Sequence, residues 1–331
     1  MSPNVLVTGA AGQIGSELVT VLRKSYGDGK VVATDKVLKR PGSSGQIHEL
    51  DVTDLSSLEK VIKQNNIDTI YHLAAILSAV GEENPDLAWE VNMRGLKNVL
   101  DASVRSGIRR IFWPSSIGVF GPDTTKHMAP QETALNPTTM YGVTKVAGEL
   151  LCEYYSLKHG LDVRSIRYPG LISSEARPGG GTTDYAVEIF YSALEMGVYT
   201  CFLKEDTNLP MMYMPDALRA AIQIMEADAG RVKLHIGYNL AAMSFSPREL
   251  AAEIRKHVPN FRVIYSPDSR QKIADSWPES IDDSAARMDW GWKEEYDLKK
   301  MVEDMLARLR PRLAVGEKAF NPTGGVAPRE R

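Results

Sequence analysis

The sequence predicts an α/β protein in which a doubly wound parallel sheet carries a smaller C-terminal lobe. In the first half of the chain, short apolar runs alternate with segments that have helical apolar spacing. A glycine-rich turn joins the first apolar run to the first helical segment. In such folds ligands bind outside the carboxyl ends of the strands. The residues that follow each apolar run are therefore the candidates for a functional site.

The first strand, Asn4–Val7, leads into a glycine-rich turn that opens a helix. The turn is Thr8-Gly-Ala-Ala-Gly-Gln-Ile-Gly15, with glycines spaced G-x-x-G-x-x-G. Such glycines let the backbone approach a pyrophosphate, which the helix N-terminus then holds. We therefore predict a Rossmann-type dinucleotide site that contains Gly9, Gly12, Gln13, Ile14 and Gly15. The alternative is a tight strand–helix turn without a ligand.

The second strand, Val31–Asp35, ends in a carboxylate 20 residues after Gly15. A carboxylate at this position accepts hydrogen bonds from the adenosine ribose and repels a 2′-phosphate. Lys36, Lys39 and Arg40 follow closely and would soften that repulsion. The position of Asp35 nevertheless favours NAD over NADP as cofactor.

The third and fourth strands end in residues that suit the same site. Residues 47–50 form a short strand that ends at Asp51-Val52, and a helix capped by Asp54 follows. Residues 69–73 form the next strand, which runs into Ala74-Ala75. These small side chains let a flat ring or a phosphate come close to the backbone. His72 is interpreted as a packed strand residue.

The fifth strand, Ile111–Pro114, follows a long helix predicted over Pro85–Ser106 and ends at two serines. The helix contains Asn92. A sixth strand is predicted over residues 163–168. Because Ser116 follows the carboxyl end of the fifth strand, a role in a ligand site is favoured over that of an ordinary turn serine.

Tyr141 and Lys145 begin a helix that is predicted to reach about His159. Their spacing of four residues brings both side chains to one helical face. A tyrosine with a pKa of ~10 is a poor base at neutral pH, but a neighbouring ammonium favours the phenolate. The pair is therefore a candidate proton shuttle for an alcohol. By itself the pattern also fits an ordinary helix surface. The interpretation as a proton shuttle therefore depends on the dinucleotide turn and on Ser116 as well.

The second half of the chain is expected to select the substrate. Residues 1–170, with a return segment at about 205–240, are assigned to the dinucleotide-binding domain. Residues 171–204 and 241–314 are assigned to the substrate-binding lobe, and 315–331 to a disordered tail. The glycine-rich segment Leu171–Asp184 is interpreted as a loop that closes over a small polar ligand, with a plain surface loop as the alternative.

Composition and charge limit the classes of partner. The chain has 331 residues, is 43% hydrophobic and 24% charged, and carries a net charge of -3. This balance gives no indication of nucleic acid or an anionic membrane as partner, and no Cys/His cluster has zinc spacing. The two cysteines, Cys152 and Cys201, fit a reducing compartment. With no visible presequence, a cytoplasmic location is the default expectation.

Taken together, these motifs resemble those of the extended short-chain dehydrogenase/reductase superfamily. The resemblance rests on residues 8–15, Asp35, Asp51-Val52, residues 72–75, Asn92, residues 115–121, Tyr141-x-x-x-Lys145 and Arg167-Tyr-Pro-Gly170. It implies that Ser116, Tyr141, Lys145 and Asn92 are catalytic, with Asn92 supporting a water that relays protons. It also implies a homodimer that pairs the helices Pro85–Ser106 and Tyr141–His159. Further cofactor contacts are implied at Asp51, Val52, Leu73, Ala74, Ala75, Asn92, Tyr141, Lys145 and Tyr168.

The second half resembles one family of that superfamily, the short-chain type of L-threonine 3-dehydrogenases. The matching segments are residues 177–185, 212–217 and 275–283. The resemblance implies oxidation of L-threonine at C3 with NAD as hydride acceptor. The implied substrate contacts are Ser78, Ser116, Tyr141, Gly180, Thr182 and Trp277. Animal members carry a mitochondrial presequence, which makes the mitochondrial matrix an alternative location.

Two other functions remain compatible with the sequence. A nucleotide-sugar epimerase or dehydratase would use the same fold, but it needs groups for a uracil and a diphosphate. Arg177, Arg219 and Arg270 are the candidates for such groups in the second half, and they form no clear pair. A protein that binds NAD only as a signal is disfavoured, because Ser116, Tyr141 and Lys145 are all present.

Overall fold

The computed structural model describes residues 2–37, 45–176 and 181–314. The strands in these residues are β1 Val5–Thr8, β2 Val31–Asp35, β3 His48–Glu49, β4 Thr69–His72, β5 Arg110–Ser116, β6 Asp162–Tyr168, β7 Gly170–Ile172, β8 Val198–Cys201, β9 Leu209–Tyr213, β10 Gly237–Asn239, β11 Met243–Phe245 and β12 Arg262–Tyr265. Each of the six strands predicted in the first half appears among them, at most a few residues from its predicted bounds.

The α-helices alternate with these strands. Those in the described residues are α1 Gln13–Tyr26, α2 Leu55–Gln64, α3 Ser78–Glu83, α4 Pro85–Trp89, α5 Gly95–Ser106, α6 Met140–His159, α7 Tyr185–Glu195, α8 Met214–Glu226, α9 Pro247–Arg255, α10 Arg270–Asp275, α11 Ser284–Trp290 and α12 Leu298–Ala314. The helix predicted over Pro85–Ser106 is continuous, but a π-helical turn at Glu90–Arg94 separates α4 from α5.

Seven strands of the described residues form one parallel sheet in the order β10-β6-β5-β4-β1-β2-β3. The chain builds outward from β1 to β3, returns to β4 beside β1, and then builds outward in the other direction. This reversal leaves a crevice at the carboxyl ends of β1 and β4, which is where such sheets bind ligands. The predicted doubly wound α/β fold is thus confirmed.

Apolar helix faces cover both sides of the large sheet. On one side, Leu18 of α1 and Ile224 of α8 are fully buried, and on the other side so are Leu58 of α2 and Leu100 of α5. Strand β1 contributes to both cores because its side chains alternate between the two faces. Burial of each such side chain stabilises the fold by about 1.5–3 kcal/mol.

The C-terminal lobe has its own small sheets and core. Strand β9 lies between β7, which is parallel to it, and β11, which is antiparallel, and β8 pairs with β12. Helices α7, α9 and α12 pack together beside these sheets. The chain enters the lobe at β7 and returns to the large sheet with α8, which packs on it, and β10, which joins it. Strand β9 lies in the predicted return segment 205–240 but belongs to the lobe.

Some predicted features lie outside the described residues. These are Lys39, Arg40, Arg177, Gly180 and the segment 315–331. Within 2–37, 45–176 and 181–314, no helix combines the length and apolarity needed to cross a membrane. In the same ranges no group of His, Cys, Asp and Glu side chains is arranged to hold a metal ion.

Candidate active site

Ser116 and Tyr141 meet at the carboxyl end of β5. Ser116 caps the short 3-10 turn Ile117–Val119, and its Oγ accepts a hydrogen bond from the Gly118 N–H at 3.1 Å. The Tyr141 ring lies against Gly118, where an added Cβ would be 3.2 Å from two ring carbons. The absence of a side chain at Gly118 therefore lets the phenol approach the Ser116 hydroxyl, which acts to lower the pKa of Tyr141.

The first turn of α6 is held from two directions, which fixes Tyr141. The Thr139 Oγ1 caps the helix by accepting from the Gly142 N–H at 3.1 Å. The Glu82 Oε1 of α3 accepts from the Met140 N–H at 2.6 Å. Both contacts satisfy N–H groups that a helix start leaves free.

The environment of Tyr141 disfavours the phenolate in this structure. Burial raises the pKa of Tyr141 to about 12, and the hydrogen bond with Ser116 acts in the opposite direction. The predicted lowering of the Tyr141 pKa by Lys145 is not seen in this structure, because burial raises that pKa.

Lys145 is buried beside the phenol but donates its hydrogen bond elsewhere. Its Nζ donates to the Pro114 carbonyl at 2.6 Å and lies 4.5 Å from the centroid of the Trp113 ring. The distance from Nζ to the Tyr141 ring centroid is 5.5 Å. Burial lowers the pKa of Lys145 to about 8, opposed by Cys152 and Glu149. The two pKa values therefore move apart, because burial disfavours the charged form of each group.

Asn92 connects three parts of the site. It lies in the π-helical turn, a feature that is frequent at functional sites. Its Oδ1 accepts from the Ile76 N–H at 2.7 Å, and its Nδ2 donates to the Ile76 carbonyl and to Thr144 Oγ1, both at 3.1 Å. Asn92 thus holds the segment after β4 against the helix that carries Lys145. Its predicted role in supporting a water stays a prediction.

The glycine-rich turn forms a close-packed crevice wall at the end of β1. Gly9 has a φ of +70°, and a Cβ there would lie 2.6 Å from the Ala74 nitrogen. A Cβ at Gly15 would run into the Gly9 carbonyl. Helix α1 has no side-chain cap, so its first N–H groups are available to an anion. The buried Gln13 Nε2 has no hydrogen-bond partner among the described residues. These features fit a bound dinucleotide.

The carboxylates after β2 and β3 occupy different positions in the crevice. Asp35 Oδ2 accepts from the Ala11 N–H at 2.9 Å, and its Oδ1 accepts from the Val37 N–H at 3.0 Å. Lys36 forms an ion pair with Asp51 at 2.6 Å. Because Asp51 already neutralises Lys36, that lysine offsets the charge of Asp35 less than the sequence alone indicated.

Some of the remaining predicted cofactor residues lie at the crevice, and the side chains of others are buried in the core. Leu73, Ala74 and Ala75 are half-buried and follow β4 at the crevice. The buried Val52 packs against Gly95. Tyr168 is buried, and its hydroxyl donates to the Ala217 carbonyl at 2.7 Å. Its side chain belongs to the core, so a cofactor contact there would involve the backbone.

The predicted substrate residues lie on three separate segments. Ser78 is buried at the start of α3. Thr182 is 3% exposed, and its Oγ1 has no hydrogen-bond partner in the described residues. Trp277 is 7% exposed in the lobe core. Gly180 lies outside the described residues. An unpaired buried hydroxyl at Thr182 is consistent with a polar ligand.

Sequence reasoning missed the contacts that hold Trp277 in place. Lys126, on the loop that follows the Ser116 turn, donates through Nζ to the carbonyls of Asp275 and Trp277, the latter at 2.9 Å. Next to these contacts, the Ala129 N–H donates to the Ser280 carbonyl at 2.9 Å. No local pattern marks Lys126, because its partners lie about 150 residues away.

A second group that was missed surrounds Glu149. The pattern Tyr141-x-x-x-Lys145-x-x-x-Glu149 is visible in the sequence and predicts one helical face. It gives no indication that the carboxylate is buried against Arg167 of β6, at 2.7 Å.

Comparisons with known proteins agree with this geometry. Residues 5–241 match the model of the NAD dependent epimerase/dehydratase family. An uncharacterized epimerase/dehydratase of Staphylococcus haemolyticus is 50% identical over 309 residues, which cover 92% of this chain and 97% of the relative.

Two solved structures are similar over nearly their whole length. The holo form of a GalE-like L-threonine dehydrogenase from Cupriavidus necator is 52% identical, with a TM-score of 0.91, and the match covers 93% of this chain and 100% of that one. The apo form of a monomeric L-threonine 3-dehydrogenase from a metagenome database is 51% identical, with a TM-score of 0.89 and coverage of 93% and 99%.

Proposed function

Because the chain belongs to the NAD-dependent epimerase/dehydratase family, we propose that it oxidises the C3 hydroxyl of L-threonine to 2-amino-3-ketobutyrate. The observation that carries the proposal is the match to L-threonine dehydrogenases at about half identity over the whole of their chains. The hydroxyl, phenol and ammonium expected of such an enzyme come together at the end of β5.

In this mechanism Tyr141 is the general base and Ser116 orients the substrate. Tyr141, once ionised to the phenolate, takes the proton of the C3 hydroxyl, and the Ser116 hydroxyl beside it hydrogen-bonds the substrate oxygen. Lys145 lies close enough for its positive charge to favour the phenolate. NAD, when bound, accepts the hydride from C3. Its adenosine ribose would be held by Asp35, and its pyrophosphate by the turn from Gly9 to Gly15.

The substrate contacts are proposed on the same basis. Thr182 offers an unpaired hydroxyl that can donate to a carboxylate. Ser78 and Gly180 are proposed to complete the polar contacts, and Trp277 to close the apolar side. Because Lys126 connects the Trp277 segment to the loop after Ser116, substrate binding and catalysis would share one rigid support.

The proposed reaction is tested by measuring NADH absorbance with purified protein and L-threonine, alongside UDP-glucose and UDP-galactose. Of these three substrates, we expect only L-threonine to give NADH. Conversion of a UDP-sugar to its epimer, without oxidation of L-threonine, would instead identify a nucleotide-sugar enzyme. Saturable NAD binding with no turnover of any alcohol would support the signalling alternative.

Replacing Asp35 with alanine should narrow the preference for NAD over NADP by at least about tenfold, because it removes a like charge from the 2′-phosphate site. The ratio of kcat/KM for the two cofactors measures the effect. Asp28→Ala removes an exposed carboxylate before the same strand and should leave the ratio unchanged. Equal use of both cofactors by the wild type would contradict the role given to Asp35.

We further propose that the protein forms a homodimer through one face of α6. Val143, Leu150, Tyr154 and Leu157 are 41%, 60%, 51% and 75% exposed. Their spacing places them on one side of the helix, and a contiguous exposed apolar face of this kind is typical of an interface. The adjacent Tyr155 is not part of this face, because it is buried and donates its hydroxyl hydrogen bond to Asp101.

The Leu150→Glu substitution should convert the dimer to a monomer, because it places a charge within the α6 face. Sedimentation velocity at micromolar concentration measures this. Met288→Glu is the matched control, since Met288 is 73% exposed on α11, away from α6. A monomeric wild type, as described for one of the similar structures, would refute the dimer. So would a Leu150→Glu protein that remains dimeric.

A further inference from the structure

A buried ion pair lies one helical turn beyond Lys145. The Glu149 carboxylate on α6 accepts from Arg167 of β6 through Nε at 2.8 Å and Nη2 at 2.7 Å, and both side chains are 2% exposed. The Ser115 hydroxyl donates to Glu149 Oε1 at 2.5 Å. A bidentate pair of this kind is strong and directional. Glu149 thus joins α6 both to Arg167 of β6 and to Ser115, the residue that precedes Ser116.

The pair is enclosed on its remaining sides. Arg167 Nη1 donates to the Gln131 carbonyl at 3.0 Å and to Asn239 Oδ1 at 3.1 Å. A Cβ at Gly237 would lie 2.7 Å from Glu149 Oε1, so the β10 backbone closes over the carboxylate. Water has little access here, and the charges of Glu149 and Arg167 therefore act on their neighbours with weak screening.

Among the described residues, Glu149 is the only ionisable neighbour of Lys145 that is negatively charged at neutral pH. On α6 these neighbours are Tyr141, Cys152 and Glu149, and burial raises the pKa of both Tyr141 and Cys152, which keeps them neutral. On β4, burial followed by the charge of Lys145 lowers the pKa of His72 to about 3. Arg167 lies on the far side of Glu149, with which it forms the ion pair.

We propose that Glu149 is a positioning residue that keeps Lys145 in its ammonium form, and that Arg167 and Ser115 hold the Glu149 carboxylate in place for this purpose. The inference rests on the proposed function, because that reaction requires a charged lysine beside the phenol. Burial lowers the pKa of Lys145 to about 8 even with Glu149 opposing it. Without the carboxylate, the lysine would lose its proton at a still lower pH.

The test is an NMR titration of ¹³Cε-labelled lysine in the folded protein without added cofactor, with Lys145→Arg used to assign the resonance. Glu149→Gln removes the negative charge and leaves Arg167, so the titration of Lys145 should move about one pH unit lower. Glu149→Gln/Arg167→Gln removes both charges, and because Glu149 lies between Lys145 and Arg167 the titration should stay below that of the wild type, by less than in Glu149→Gln. Unchanged titration in Glu149→Gln would overturn the proposal. So would a double variant that titrates like the wild type, because the shift in Glu149→Gln would then come only from the unpaired charge of Arg167.

The Arg167→Gln variant should shift the titration of Lys145 in the opposite direction, and it provides the test if the Glu149→Gln protein does not fold. It keeps the carboxylate and removes the positive charge, so the titration of Lys145 should move upwards, and no change or a downward shift would overturn the proposal. The pH–rate profile with L-threonine should shift in the same directions. Purely structural damage would lower kcat without moving that profile. A wild type that does not oxidise L-threonine refutes the proposed function, whereas the titration still decides the role of Glu149.

Discussion

Replacing Tyr141 with phenylalanine should lower kcat for L-threonine by about 10²–10⁴-fold, the usual loss when a general base is removed. The phenylalanine ring keeps the contact with Gly118, and only the phenolic oxygen beside Ser116 is lost. NAD affinity should therefore change little. Steady-state NADH formation measures the first quantity, and quenching of tryptophan fluorescence by NAD measures the second.

The matched control for this change is Tyr154→Phe. Tyr154 lies on the same helix but is 51% exposed and away from Ser116. Loss of its hydroxyl should leave both kcat and NAD affinity close to those of the wild type. If Tyr141→Phe kept most of its activity, another group would have to take the substrate proton, and the assigned mechanism would be wrong.

The large sheet was predictable because its signals are local. Each strand of the first half is a short apolar run that ends where helical spacing or turn residues begin, and the structure places those strands in one parallel sheet. The glycine turn was equally predictable, since a positive φ at Gly9 and close packing at Gly15 both require glycine. These features depend on neighbours in sequence, which a single chain displays directly.

The electrostatics of the site were not predictable in the same way. The spacing of Tyr141 and Lys145 correctly indicates that they lie near each other, but the Lys145 ammonium bonds the Pro114 carbonyl, 31 residues away in sequence. The pairing of Glu149 with Arg167 and the contact of Lys126 with Trp277 also depend on how distant segments pack. Sequence spacing identifies the side chains but not the burial that sets their pKa values.

Replacing Gly9 with alanine should weaken NAD binding by about 100-fold or more and also lower the stability of the fold. The new Cβ would lie 2.6 Å from the Ala74 nitrogen, so the turn and the end of β4 must move apart. Overpacking of this kind typically costs about 1–3 kcal/mol, and a 100-fold loss of affinity corresponds to about 2.7 kcal/mol. Calorimetric titration with NAD and urea unfolding measure the two effects.

Gly107→Ala separates this clash from the cost of the backbone conformation itself. Gly107 has a φ of +65°, close to the +70° of Gly9, but a Cβ there has no atom within 4 Å. It precedes β5 and therefore lies near the amino ends of the strands, whereas the crevice lies at their carboxyl ends. In both variants the free energy of unfolding should fall by roughly 1–2 kcal/mol, the cost of alanine in the left-handed conformation. Only Gly9→Ala should also lose NAD affinity. Equal NAD affinity in the two variants would mean that the turn at Gly9 is not the wall of the cofactor site.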